Sequence, residues 1–136
     1  MSFALKIYAN KDVSELYRNH DGITFHNEGI DLVFPDDVTI PPRAGNFAIN
    51  MKIRISMLDM NTHEIIPCIT IAKSNIFWTP LKVSQIKIGD GDVIVFVDNW
   101  EDYEFKIKRG QIFTQILSVI PGSIFVTICC CETAKL

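Results

Sequence analysis

The chain has 136 residues, 48% of them hydrophobic and 21% charged, with a formal net charge of −3. That length is one domain's worth and buries a core without disulfide or metal staples, the composition is that of a globular protein, and the acidic balance supplies no basic field for nucleic acid. No apolar run reaches bilayer-spanning length, and the start, MSFALKIYANKDVSEL, has no basic n-region, long apolar stretch or small-residue cleavage site. The expectation is one domain over residues 1–136, cytoplasmic and not secreted, with neither nucleic acid nor membrane as partner.

Along the chain the apolar runs are short, rich in Ile, Val, Phe and Thr, and in several places alternate with polar residues, which is the period of a half-buried strand. FALKIY (3–8) comes first and KDVSELYRN (11–19) follows, with room for a turn or two of helix. GIDLVF (29–34), NFAINMKIRISML (46–58), EIIPCITIA (64–72) and LKVSQIKI (81–88) continue the series. DVIVFV (92–97), EFKIK (104–108), IFTQILSVI (112–120) and SIFVTICC (123–130) complete it. Turn signals separate them: FPDD, PPRAGN, LDMNTHE, GDGD, DNWED, KRGQ and PGS. The pattern predicts an all-β barrel or sandwich.

The stretch QIKIGDGDVIVFVDN places Asp90, Asp92 and Asp98 close together, as a metal or catalytic site would, or as the bend of a hairpin would. Gly89 and Gly91 suit positive φ, Asp90 and Asp92 suit local backbone bonding, and the Asp-x-Asp-x-Asp-Gly register of a calcium loop is absent, so the residues favour a turn. Zinc fails on spacing. Cys68 stands alone, Cys129, Cys130 and Cys131 are adjacent and so alternate between the faces of a strand, and His20, His26 and His63 have no ligand periodicity. No metal or other cofactor is expected.

Three segments then fall into a known order. EGIDLVFPDDVTIPPRAG (28–45) resembles the first signature of the trimeric dUTPase family, through Gly29 and Asp31. IAKSNIFWTPLKVSQ (71–85) is similar to the second signature and its continuation in members from large DNA viruses. DNWEDYEFKIKRGQIFTQILS (98–118) resembles the fourth, an Asn, a strand, then Gly110 and Gln115 in Gly-x-x-x-x-Gln. The resemblance implies a distorted jelly-roll β-barrel, a homotrimer with sites between subunits, and a C-terminal strand at about 123–131 that is exchanged between them. It also implies an ancestral reaction, cleavage of dUTP to dUMP and pyrophosphate.

Within that resemblance the catalytic parts are altered. The family's hairpin carries a water-orienting aspartate and a tyrosine that stacks on the sugar. Here the span left for it, IKIGDGD (86–92), is short and lacks the tyrosine, the Ile-Asp pair and the arginine. The phosphate-binding Arg-Ser-Ser is replaced by Lys73, Ser74 and Asn75, losing the bidentate fork of arginine, and Ile76, Phe77 and Trp78 follow where relatives carry smaller or charged residues. Gln115 reads equally as a vestigial phosphate ligand or as a hydrogen bonder at a barrel edge. After Arg109 there is no arginine and after Gly122 no glycine, so the expectation is that the family's phosphate-closing arm has no counterpart.

The expectation for function is therefore a catalytically inactive dUTPase-like protein. It would act as a structural or protein-interaction module, possible roles including a virion component, with a protein partner of unspecified identity. The alternative is an active nucleotidohydrolase using Asp90 or Asp92 with Lys73, Ser74, Gln115 and Mg2+. Trp78 and Trp100, in or beside turns, read either as partner contacts or as caps on the core.

Overall fold

The structure is a computed structural model and describes residues 2–18, 30–89, 91–120 and 122–130. Within them run eleven strands and one α-helix: β1 (Ser2–Ala9), α1 (Lys11–Arg18), β2 (Ile30–Val33), β3 (Val38–Ile40), β4 (Phe47–Asn50) and β5 (Arg54–Asp59), then β6 (Cys68–Ala72), β7 (Leu81–Lys87), β8 (Ile94–Asn99), β9 (Phe105–Ile107), β10 (Ile112–Ser118) and β11 (Ser123–Cys130). The β-rich class read from the sequence is the class of the fold. Four small sheets share the strands, in the orders β11-β1-β5, β2-β10-β6, β3-β9 and β4-β8-β7. No closed barrel ladder links these sheets among the described residues.

Alternation explains most of the burial. In β1, Phe3, Leu5, Ile7 and Ala9 face the core and the residues between them face outward. β8 does the same with Val95 and Val97, whereas β2 is buried at all four positions and reads as a continuous apolar run broken only by Asp31. Residues from every sheet meet in one core, where Phe34 and Phe113 pack edge to face with ring centroids 5.6 Å apart.

Two runs read as single strands are divided. NFAINMKIRISML becomes β4 and β5, in different sheets, because the chain bends at Met51–Ile53 with Lys52 at φ 57°. EIIPCITIA keeps a regular strand only from Cys68, after Pro67, which has no N–H to give a ladder. The short β3 fell among turn signals and was not visible as a strand. β11 pairs with β1 in parallel, from Ser2 opposite Ser123 to Ala9 opposite Cys130.

Helix α1 forms for local reasons. The Asn10 side-chain oxygen accepts the Val13 N–H at 3.0 Å as an N-cap, and the Ser14 hydroxyl donates to the Ala9 carbonyl at 3.1 Å. Val13 and Tyr17, four apart, lie on its buried face. The Tyr17 hydroxyl accepts the Val33 N–H at 3.2 Å and lies 3.5 Å from the Val33 carbonyl, so one phenol fastens the helix to β2. Burial pushes its pKa well above the ordinary value near 10, partly offset by the backbone bond.

Tyr17→Phe leaves the buried Val33 N–H without its acceptor and is expected to cost about 1–3 kcal/mol in urea denaturation. Because the native pKa is raised, the phenol's contribution is whole below about pH 10 and is lost as pH rises beyond that value. The variant should lack this alkaline loss; an identical alkaline profile in both proteins would refute the assignment.

Candidate functional site

Asp31, Lys73 and Gln115 converge on the β2-β10-β6 sheet. Asp31 of β2 stands opposite Gln115 of β10, and Gln115 stands opposite Ile71 of β6. Just past β6, the Lys73 N–H donates to the Phe113 carbonyl at 2.8 Å, which ends the strand and aims the side chain back over the sheet. Its Nζ meets Asp31 Oδ1 at 2.9 Å. The Asp31 side chain is only 5% exposed and that of Lys73 38%, so a buried carboxylate takes the charge of a half-exposed amine. Gln115 lies on the central strand of this three-stranded sheet.

A 3-10 helix, Ser74–Trp78, follows directly. Asn75 Nδ2 donates to the Ile112 carbonyl at 2.6 Å, Ile76 is buried, and Ser74 is exposed. The Thr79 hydroxyl donates to the Ile76 carbonyl at 2.7 Å and accepts the Leu81 N–H at 3.1 Å, fixing the passage into β7. Sequence pattern thus brought Asp31, Lys73, Asn75 and Gln115 to one place, but with Lys73 and Asn75 both bonded within the protein. An anionic ligand would have to compete with Asp31 for the ammonium.

The opening between β7 and β8 is residues 88–93, a short hairpin link. Gly89 and Gly91 adopt φ +147° and +91°, conformations that side chains disfavour, although a Cβ at either would meet nothing within 4 Å. Asp92 accepts Asn50 Nδ2 at 3.1 Å and lies 3.4 Å from Arg54 Nε, tying the hairpin base to β4 and β5. Asp98 accepts the Asn46 N–H at 2.8 Å. Asp92 and Asp98 are thus each held by separate protein donors; Asp90 lies outside the described residues, as do Gly29, His20, His26 and Cys131. Among the described residues, no three His, Cys, Asp or Glu side chains gather as a metal would require.

No family model and no curated protein matches this chain.

Of the remaining sequence-predicted positions, Gly110 sits in the β9–β10 turn at φ +90°, its N–H donating to the Phe34 carbonyl at 2.8 Å. Trp78 and Trp100 are 91% and 57% exposed, so neither caps the core of the chain. Trp100 stands near the end of the 3-10 helix, since its N–H donates to the Pro80 carbonyl at 3.0 Å. Cys129 is half-buried and Cys130 exposed, both as free thiols, while burial raises the pKa of the Cys68 thiol.

Sequence reading used the asparagine of the fourth signature-like segment only as a motif anchor, yet its side chain is heavily bonded. Asn99, 3% exposed, donates through Nδ2 to the carbonyls of Pro41 at 3.0 Å and Tyr103 at 2.9 Å, and its Oδ1 accepts the Glu101 N–H at 3.1 Å. One amide therefore holds the 40–44 and 100–104 turns against each other. Its sequence signals were its place in the fourth signature-like segment and at the head of a polar turn, and neither separates a surface asparagine from a buried one.

Asn99→Ala should strand these backbone groups together and lower stability by about 2–4 kcal/mol, with the exposed 100–104 turn losing protection in hydrogen exchange. A change under about 0.5 kcal/mol would mean that water replaces the amide fully.

Proposed function

We propose that this chain is a non-catalytic dUTPase-like protein, working as a trimeric structural or protein-interaction module. The order of the three signature-like segments and the β-rich fold support the family reading. The single observation that carries the loss of catalysis is the Lys73–Asp31 ion pair at 2.9 Å. The amine at the phosphate-binding position has its charge met by a carboxylate of the same sheet. A triphosphate would need that pair broken, which returns an uncompensated carboxylate to a buried position.

The hairpin supports the same reading. A general base must reach the attacking water, and a positioned base is worth roughly 10²–10⁴ in rate. Asp92 is instead drawn back to Asn50 and Arg54 at the hairpin base. In a trimeric jelly-roll arrangement the exposed Phe77, Trp78 and Trp100 would be contact surface, with aromatic area that binds at low entropy cost. A virion-associated role and exchange of β11 between subunits belong to this proposal through the family resemblance alone.

Purified protein given dUTP or dCTP with Mg2+ should release no pyrophosphate above background, and a non-hydrolysable dUTP analogue should leave its melting temperature unchanged. Turnover, or ligand stabilisation removed by Lys73→Ala, would establish the nucleotidohydrolase instead. Multi-angle light scattering should give three times the mass of the chain. A monomer at all concentrations would remove the trimer from the proposal.

A further inference from the structure

Strand β5 is paired along one edge to β1 from Arg54 to Tyr8 through Asp59 to Phe3. Along its other edge the Val93 N–H donates to the Ile53 carbonyl at 2.8 Å, the Ile66 N–H to the Met57 carbonyl at 2.9 Å, and the Asp59 N–H to the Glu64 carbonyl at 2.9 Å. In a regular antiparallel strand, alternate residues turn both backbone groups to the same edge. Residues 53, 55, 57 and 59 therefore address this outer edge. Ile55 lies between two pairings and, among the described residues, has no ladder partner of its own there.

Sequence explains the gap. Residues 64–66 run beside β5, and from Pro67, whose ring fixes φ, the chain leaves β5 and enters β6 of another sheet, so no residue follows Ile66 along this edge. On the far side the β7–β8 hairpin brings Ile88 and Gly89 against the opening. Between them is a cavity of about 410 Å³, lined chiefly by Ile55, Met57, Ile65, Ile66, Cys68 and Ile88. Ile65 stands at its mouth, 82% exposed.

We infer that this cleft receives one extended residue of a partner polypeptide, whose N–H and C=O complete the ladder at Ile55 while its aliphatic side chain fills the cavity. A donor and an acceptor offered by one strand residue, at strand spacing, match a peptide backbone. The apolar walls select the side chain. Among the described residues the lining carries no acidic or basic side chain, and its walls are those of an aliphatic pocket. The inference depends on the interaction-module reading only for its biological use; peptide affinity and pyrophosphate release are separate measurements, and either can fail with the other intact.

The test uses the full chain. A phage-displayed library of random heptapeptides is selected on it, and the leading peptide is synthesised and titrated by fluorescence anisotropy. N-methylation of the anchor amide should weaken binding about fivefold or more, the loss of one backbone hydrogen bond. Ile65→Asp, at an exposed position, should weaken it similarly without moving the urea midpoint. The bound peptide should also slow N-ethylmaleimide labelling of Cys68 while leaving that of the exposed Cys130 unchanged. Failure to enrich any peptide, or a leading peptide indifferent to N-methylation or unable to shield Cys68, would overturn the inference, and both of those last readouts use the unmodified protein.

Discussion

The fold depends on β1 being hydrogen-bonded on both edges. Its even-numbered residues serve β5 and its odd-numbered ones face β11, while Phe3, Leu5 and Ile7 enter the core with no exposure at all. This joins the first strand to the last, across more than a hundred residues, and the loop-closure cost of such a pairing is recovered only when the core forms. Helix α1 follows from it: Arg18 reaches the Ile128 carbonyl at 3.3 Å and Tyr17 reaches β2, so the helix clamps β11 and the neighbouring sheet from the same side. A strand with one free edge could not hold both ends of the chain.

Against that frame the β2-β10-β6 sheet has a specific electrostatic problem, a carboxylate inside an otherwise apolar strand. Asp31 interrupts the buried run of β2, and desolvating it without a partner would cost several kcal/mol. Lys73 meets it from across β10, with its own backbone N–H bonded to Phe113. The same lysine cannot serve a phosphate without giving up this task. Where arginine can divide its fork between two partners, lysine is a point charge that follows the better one.

Most of the strand pattern was legible in the sequence because period-two alternation and turn residues are local signals. FALKIY, LKVSQIKI, DVIVFV and IFTQILSVI each correspond to strands within a few residues of their ends. Sheet membership was not legible. Nothing in NFAINMKIRISML separates β4 from β5, since the bend at Lys52 needs a positive φ that lysine does not advertise. The candidate region divided in the same way: motif order named Asp31, Lys73, Asn75 and Gln115, which lie on or beside one sheet, while the bonding roles of Asn99 and Tyr17 were not legible because they lie in burial and in partners distant along the chain.

The exposed aromatic residues follow from backbone geometry as well. With about three residues per turn, a 3-10 helix that buries Ile76 must send Phe77 and Trp78 to other faces, and Thr79 bonds on both sides keep that turn from relaxing. Single exposed hydrophobics are common and need no explanation. Two adjacent ones on a capped turn, with Trp100 tied by its N–H to the neighbouring Pro80 carbonyl, are different because their backbone is already ordered. Ordering is a main cost of association, and here folding has met the backbone share of it through bonds that no ligand supplies. The Thr79 and Asn99 bonds that shape this surface involve neither Lys73 nor Asp92, so it is built independently of the ion pair and of the hairpin base beside it.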